Sequence, residues 1–337
     1  MTIEKSQRLA WLDCCKGFAI ICVVAGHIAD GYINANMFPE HAKLLESIFN
    51  VIYLFHMPLF FCLSGMAFYL AYCRNRNRIK MTNQIANLLW LYVLFSVFLW
   101  GMKFIFSGSV NHEVSIEDLY MIPLKPIGEY WYLYALLFFY LLGWIVSKFQ
   151  GALEHGMLGV ACVLSCTTAF NGYHGIFPLN TILYYFVFFY IGMLLGKSET
   201  TGISILEDKK VAVMVIAAAV ISATLTIYFR VNMSKVPICA TICGAATALA
   251  TICVFKKLRT LKVLQKVGTS SLDIYLMHTF ITAANRKLLL KVGITSFYIN
   301  ILINFMMALC LPLFFSFLLK KLNVYSYIFK PVHGKKK

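Results

Sequence analysis

The 337-residue chain is 60% hydrophobic and only 13% charged, with a mean hydropathy of +0.75. A soluble domain carries about 25% charged residues, so a water-soluble fold is excluded and lipid must cover much of the apolar surface. The net charge of +16 would point to nucleic acid in a soluble protein, but here most cations sit in short links between apolar runs, and no nucleic-acid partner is expected. A spanning helix needs about 20 mostly apolar residues. Ten runs approach this in chain order: 17–33, 48–72, 85–106, 131–146, 156–170, 179–196, 211–229, 236–255, 272–284 and 296–319.

The first run is flanked by Lys5, Arg8 and Lys16, like a signal peptide, but it holds His27 and Asp30 and is followed by further apolar runs. It is therefore expected to be a retained span. The fifth and ninth runs are short. The ninth continues through Asn285 and Arg286, which would then face protein or water rather than lipid. With a cytosolic N-terminus, 22 of the 30 Lys and Arg residues fall on the inside and 8 on the outside. That asymmetry predicts an all-α polytopic bundle of about ten transmembrane helices, with the N-terminus and C-terminus both cytosolic. Residues 1–337 read as one transmembrane domain, with no soluble appendage expected at either end. The longest outer link, 107–130, holds Glu113, Glu117, Asp118, Pro123 and Pro126 and is expected to form a small cap. No internal repeat points to an inverted-repeat transporter. The 11 cysteines, mostly within apolar runs and without metal-ligand spacing, suggest neither a disulfide framework nor a zinc site, and no metal is expected.

Ionisable groups inside spans are costly and so are functional candidates. Lys16 and His27 are 11 residues apart. At about 100° per residue this is about 1,100°, which leaves them roughly 20° from the same helix face, and a 1.5 Å rise puts His27 roughly 16 Å deeper. One face would offer a cation at the cytosolic mouth and an imidazole near mid-membrane. Asp13, one turn before Lys16, would hold it, and Asp30, one turn after His27, would orient the ring. This arrangement suits acyl transfer from coenzyme A. The polyanionic nucleotide stays near cations at the membrane face, the pantetheine arm threads between helices, and a neutral imidazole takes a proton from an attacking hydroxyl. Spacing alone leaves open a plainer reading, in which His27 satisfies a neighbouring helix and Lys16 anchors the interface.

The stretch from Arg8 to His27, with a basic residue, ten intervening positions and then histidine, closely resembles the opening of the acyltransferase-3 family, which includes fucose 4-O-acetylase-like membrane proteins. Phe55-His56-Met57-Pro58 through Ser64-Gly65 is similar to the family's second motif. Trp131-Tyr132-Leu133 is similar to its aromatic motif, and Gly268 through His278 to its late motif, all in family order. The resemblance implies that His27 is the catalytic histidine and Lys16 its basic partner in coenzyme A binding or site organisation. Family members also carry two arginines spaced RxxR after the second span. Here the loop reads Arg74-Asn75-Arg76-Asn77-Arg78, a different spacing. In an extended backbone the three arginines would point the same way and grip phosphates; positive-inside anchoring explains them as well.

His56 and His278 read as structural or acceptor-orienting, with the carbohydrate as their ligand in the second case. Ser64 reads as a packing residue. Trp131 and Tyr132 would stack on a sugar ring or belong to the interfacial aromatic belt, the belt being the plainer reading. Asn171, Tyr173 and His174 would line an outer vestibule. The reading is thus an acyltransferase, implied by family resemblance to lie in the bacterial inner membrane. It would carry an acyl group, acetyl first, from cytosolic acyl-CoA to a hydroxyl of a cell-surface polysaccharide or lipid-linked sugar. Acetyl-CoA enters as co-substrate, with no permanently bound cofactor, and the lipid bilayer is the standing partner. The competing reading is a polytopic transporter or flippase of a saccharide or small solute.

Overall fold

In lipid, a backbone N–H or C=O has no water to turn to, so each apolar run satisfies its own polar groups as a helix. The computed structural model describes residues 9–107, 113–168, 179–201, 205–229, 237–258 and 261–332. In chain order the helices are α1 (Ala10–Asn34), α2 (Ala42–Phe68), α3 (Arg78–Ile105), α4 (Ile116–Met121), α5 (Trp131–Val146), α6 (Ala152–Thr167) and α7 (Leu179–Thr201). They continue with α8 (Lys209–Phe229), α9 (Pro237–Lys257), α10 (Lys262–Thr269), α11 (Ser271–Lys291), α12 (Phe297–Lys321) and α13 (Tyr325–Phe329). No strand occurs among the described residues.

Eight helical stretches among the described residues are long and apolar enough to cross a membrane, α5 only when taken with the turn before it as Gly128–Val146, against the ten runs in the sequence. The other two runs are the short ones. The 16 residues of α6 reach about 24 Å, less than the roughly 30 Å of a hydrocarbon core. With 21 residues, α11 is long enough, but it carries Asp273, Arg286, Lys287 and Lys291. Part of its polar end lies inside protein, while Lys287 and Lys291 are exposed. Asn285 and Arg286 are both buried. Asn285 Nδ2 donates to Asn304 Oδ1 at 3.4 Å, and Asn304 Nδ2 donates to the Thr282 carbonyl at 3.3 Å. Buried polar groups inside a bundle persist when partnered in this way.

Two glycine contacts set the helix positions. A Cβ on Gly65 of α2 would lie 1.9 Å from the Phe189 carbonyl oxygen of α7, and one on Gly192 would lie 2.0 Å from the Cys62 carbonyl oxygen. The two backbones therefore touch directly, which only glycine permits. The same device joins α1 to α10: a Cβ on Gly17 would lie 2.1 Å from the Leu264 carbonyl oxygen, and one on Gly268 would lie 1.7 Å from that of Asp13.

The described part of the link between α3 and α5, residues 113–130, folds as a small cap. Ser115 and Asp118 make a reciprocal capping box at α4, satisfying N-terminal amides that the helix itself leaves unpaired. Trp100 Nε1 donates to the Ser115 carbonyl at 2.8 Å, Tyr134 Oη donates to that of Pro123 at 3.1 Å, and the Tyr92 hydroxyl donates to that of Ile122. The cap is thereby tied to α3 and α5. It ends in a 3-10 turn, Gly128–Tyr130, that leads directly into α5.

Candidate active site

A cavity of about 500 Å³ runs through the bundle. Lys16 and His27 from α1 both line it, as the helical period requires of residues 11 positions apart. Gln84 and Leu88 of α3, Ser271 and Leu272 of α11, and Lys125 and Glu129 of the cap line it as well. It therefore spans from the Lys16 level of α1 to the cap.

His27 is the meeting point of three other elements. From α2, Tyr53 Oη lies 3.4 Å from His27 Nδ1. From the 3-10 turn before α5, Glu129 Oε1 lies 3.9 Å from the same nitrogen. From α11, the His278 ring centroid is 5.1 Å from that of His27. The turn carrying Glu129 is gripped twice by α11: Tyr275 Oη donates to the Glu129 carbonyl at 2.5 Å, and Tyr130 Oη donates to the Leu276 carbonyl at 2.9 Å.

His56 and His278 are committed to their own helices. His56 Nδ1 donates to the Ile52 carbonyl at 2.8 Å, and His278 Nδ1 donates to those of Tyr275 and Ile274 at 2.9 and 3.1 Å. A carbonyl can only accept, so both rings carry a proton on Nδ1 and present Nε2 as an acceptor. His56 lines the cavity. His278 is fully buried, and its Nε2 has no hydrogen-bond partner among the described residues.

Trp131 and Tyr132 depart from the plainer reading. They line the cavity rather than forming a lipid-facing belt, with Trp131 stacked on Tyr185 and Tyr132 Oη 2.7 Å from Ser64 Oγ. Close packing of α2 falls to Gly65, while Ser64 contributes a hydroxyl to the cavity wall.

The arginine loop also departs from expectation. Arg74 follows a π-type turn, Arg76 is left-handed with φ of 47°, and Arg78 opens α3 behind the Asn77 cap. The link is too short for an extended strand, so alternation does not align the three side chains. Arg74 and Arg76 line a second cavity of about 210 Å³ with Lys197, Glu154, Gln150 and Ser147, while Arg78 lines neither cavity. Lys197 Nζ is paired there with Glu154 at 2.8 Å.

Neither Asp13 nor Asp30 lines the main cavity. Asp13 is buried beneath α10, whose Gly268 rides on its carbonyl. Asp30 interacts electrostatically with Tyr53 and Arg286. Asn171, Tyr173 and His174 fall outside the described residues. Sequence reasoning missed Glu129 and Tyr53. The one signal for Glu129 is a carboxylate placed two residues before the aromatic motif that opens α5.

The acyltransferase-3 family model, described as an acyltransferase domain, matches residues 9–321. The chain belongs to the acyltransferase-3 family. The matched stretch takes in the residues that line both cavities. Nodulation protein NolL of Mesorhizobium japonicum is 27% identical over 139 residues, which is 41% of this chain and 36% of that protein. Nodulation protein NolL of Sinorhizobium fredii is 30% identical over 153 residues, 43% of this chain and 38% of that protein. The chain thus aligns with little more than a third of the length of these relatives. No solved structure matches it. Within this acyltransferase-3 domain, the Lys16–His27 face, the Ser64–Tyr132 pair and the α11 motif all bear on one cavity.

Proposed function

We propose that this acyltransferase transfers an acyl group, acetyl first, from a cytosolic coenzyme A thioester to a carbohydrate hydroxyl, with His27 as general base. The observation that carries this reading is the single cavity that holds Lys16 at one level of α1 and His27 three turns further along. In this reading the bundle makes ten crossings of a bacterial inner membrane, with both termini in the cytosol. Coenzyme A phosphates meet Lys16 at the inner mouth. Arg74 and Arg76 offer further cations on their own smaller cavity. The pantetheine arm lies along the cavity and brings the thioester to His27.

The acceptor enters from the cap side, past Lys125 and Glu129. Trp131, Tyr132 and Tyr275 line the wall there and offer ring faces to a sugar. The imidazole takes the hydroxyl proton, and the oxygen attacks the thioester carbonyl. The C–S bond breaks, and the thiolate leaves with the proton returned by the imidazolium. The hydroxyls of Tyr53, Ser64 and Tyr132 line the same space and are the available donors for the oxyanion.

The test is purified protein in detergent with labelled acetyl-CoA and a panel of methyl glycosides. Label appearing on a glycoside, or in water as acetate, supports transfer. An intact thioester together with saccharide flux in proteoliposomes would replace the enzyme by a transporter. Lys16→Gln is expected to raise the KM for acetyl-CoA roughly tenfold or more with little change in kcat, since a charge-assisted contact contributes about 1.5–3 kcal/mol. An unchanged KM would remove Lys16 from donor binding.

A further inference from the structure

We infer that Glu129 is the positioning residue of His27: its carboxylate, delivered by the cap, accepts a hydrogen bond from Nδ1–H and leaves the Nε2 lone pair free for the acceptor hydroxyl. The inference rests on the acyl-transfer reading above and adds a residue that the motifs of α1 do not contain.

Three observations meet here. Glu129 and His27 share the main cavity, and the carboxylate oxygen stands 3.9 Å from Nδ1. The turn that carries Glu129 is fixed on both sides of it. Gly128 is left-handed with φ of 53°, and a Cβ there would lie 2.9 Å from Leu99 Cδ2, so glycine suits both the conformation and the space. The Glu129 carbonyl and the Tyr130 hydroxyl are then held by α11, the helix that also places His278 beside His27. The carboxylate is therefore aimed by backbone that α11 holds at two points, rather than carried on a loose loop.

Chemistry decides between the two neighbours of Nδ1. The Tyr53 hydroxyl, at 3.4 Å, donates or accepts and so fits either ring tautomer. An ionised carboxylate only accepts, so Glu129 selects the tautomer with hydrogen on Nδ1. That tautomer has its lone pair on Nε2, where a base needs it. When Nε2 takes the acceptor proton, the imidazolium forms beside an anion, and Glu129 stabilises it without itself changing protonation. A separation of 3.9 Å exceeds a hydrogen bond, and such contacts commonly tighten once substrate is bound.

The experiment compares full-length wild type with Glu129→Gln, Glu129→Asp, Glu129→Ala and His27→Ala in detergent, using acetyl-CoA with the best-accepted methyl glycoside, or with water as acceptor. Glu129→Gln keeps the size and loses the charge. It is expected to lower kcat about 100-fold with the KM for acetyl-CoA unchanged. Glu129→Asp is expected to recover part of that loss, and added formate to restore part of the rate of Glu129→Ala, a readout that a purely structural residue would not move. If Glu129→Gln keeps a kcat within twofold of wild type while His27→Ala is dead, the positioning role is wrong and the acyl-transfer reading survives. A loss in Glu129→Gln matched by a fall in melting temperature, with no rescue of Glu129→Ala by formate, makes the residue structural and also overturns the proposal. Wild-type protein that neither transfers nor hydrolyses acetyl-CoA ends both readings together.

Discussion

Replacing His27 by Ala is expected to lower acetyl transfer by about 10²- to 10⁴-fold, the contribution of a positioned general base, while the protein still reaches the membrane and the KM for acetyl-CoA holds. The expectation follows from its surroundings. Its Nδ1 has Tyr53 and Glu129 as neighbours, and it opens on the same cavity as Lys16. His56 and His278 differ, because each spends Nδ1 on carbonyls of its own helix. An asparagine amide can replace that N–H, so His56→Asn is expected to lose less than about tenfold, the scale of one neutral hydrogen bond. A steady-state comparison of these variants on acetyl-CoA decides the assignment. Near-wild-type turnover in His27→Ala would remove the base from α1 and, with it, the reason for the cavity's course.

The second large effect concerns folding rather than chemistry. Gly65→Ala and Gly192→Ala are each expected to destabilise the bundle at the upper end of the roughly 1–3 kcal/mol typical of overpacking. In both cases the obstacle is backbone: a Cβ would come within 2.0 Å of a carbonyl oxygen on the facing helix. A side chain could rotate away, but a carbonyl in a hydrogen-bonded helix can move only with the helix. Because α2 carries Tyr53 and His56 into the site, activity is expected to fall with stability. Gly159→Ala on α6 provides the opposite sign. Nothing lies within 4 Å of its Cβ position, and alanine in an open helix is better than glycine by up to about 1 kcal/mol. Thermal unfolding in detergent, followed by size-exclusion chromatography, reads all three. A melting temperature for Gly65→Ala equal to that of wild type would show that α2 and α7 do not pack as described.

Much of the site is local in sequence and was legible there. Lys16 and His27 lie on one helix, and 11 residues of regular geometry bring them to one face with no knowledge of neighbours. The burial of Asn285 and Arg286 was legible for a similar reason, since a polar end on an apolar run has to find protein or water. Glu129 was not legible. It follows a loop with no periodicity and meets His27 from 102 positions further along the chain, so no spacing rule connects them. Trp131 and Tyr132 looked like interfacial aromatics because composition cannot tell a lipid-facing ring from one that faces a cavity. The arginine loop was misjudged because alternation assumed an extended backbone, where a π-type turn and a left-handed Arg76 stand instead.

Composition and apolar run length by themselves determined that the chain is a helical membrane protein, because lipid leaves a backbone few ways to satisfy its hydrogen bonds. Helical period by itself determined that a lysine and a histidine share one face of the first span. Tertiary structure alone decided which groups surround that histidine: a tyrosine from α2, a carboxylate from the cap and a second histidine from α11. The physical reason is that these contacts depend on how separate helices pack, through backbone approaches at Gly65, Gly192, Gly17 and Gly268. Such approaches join positions that no local pattern relates.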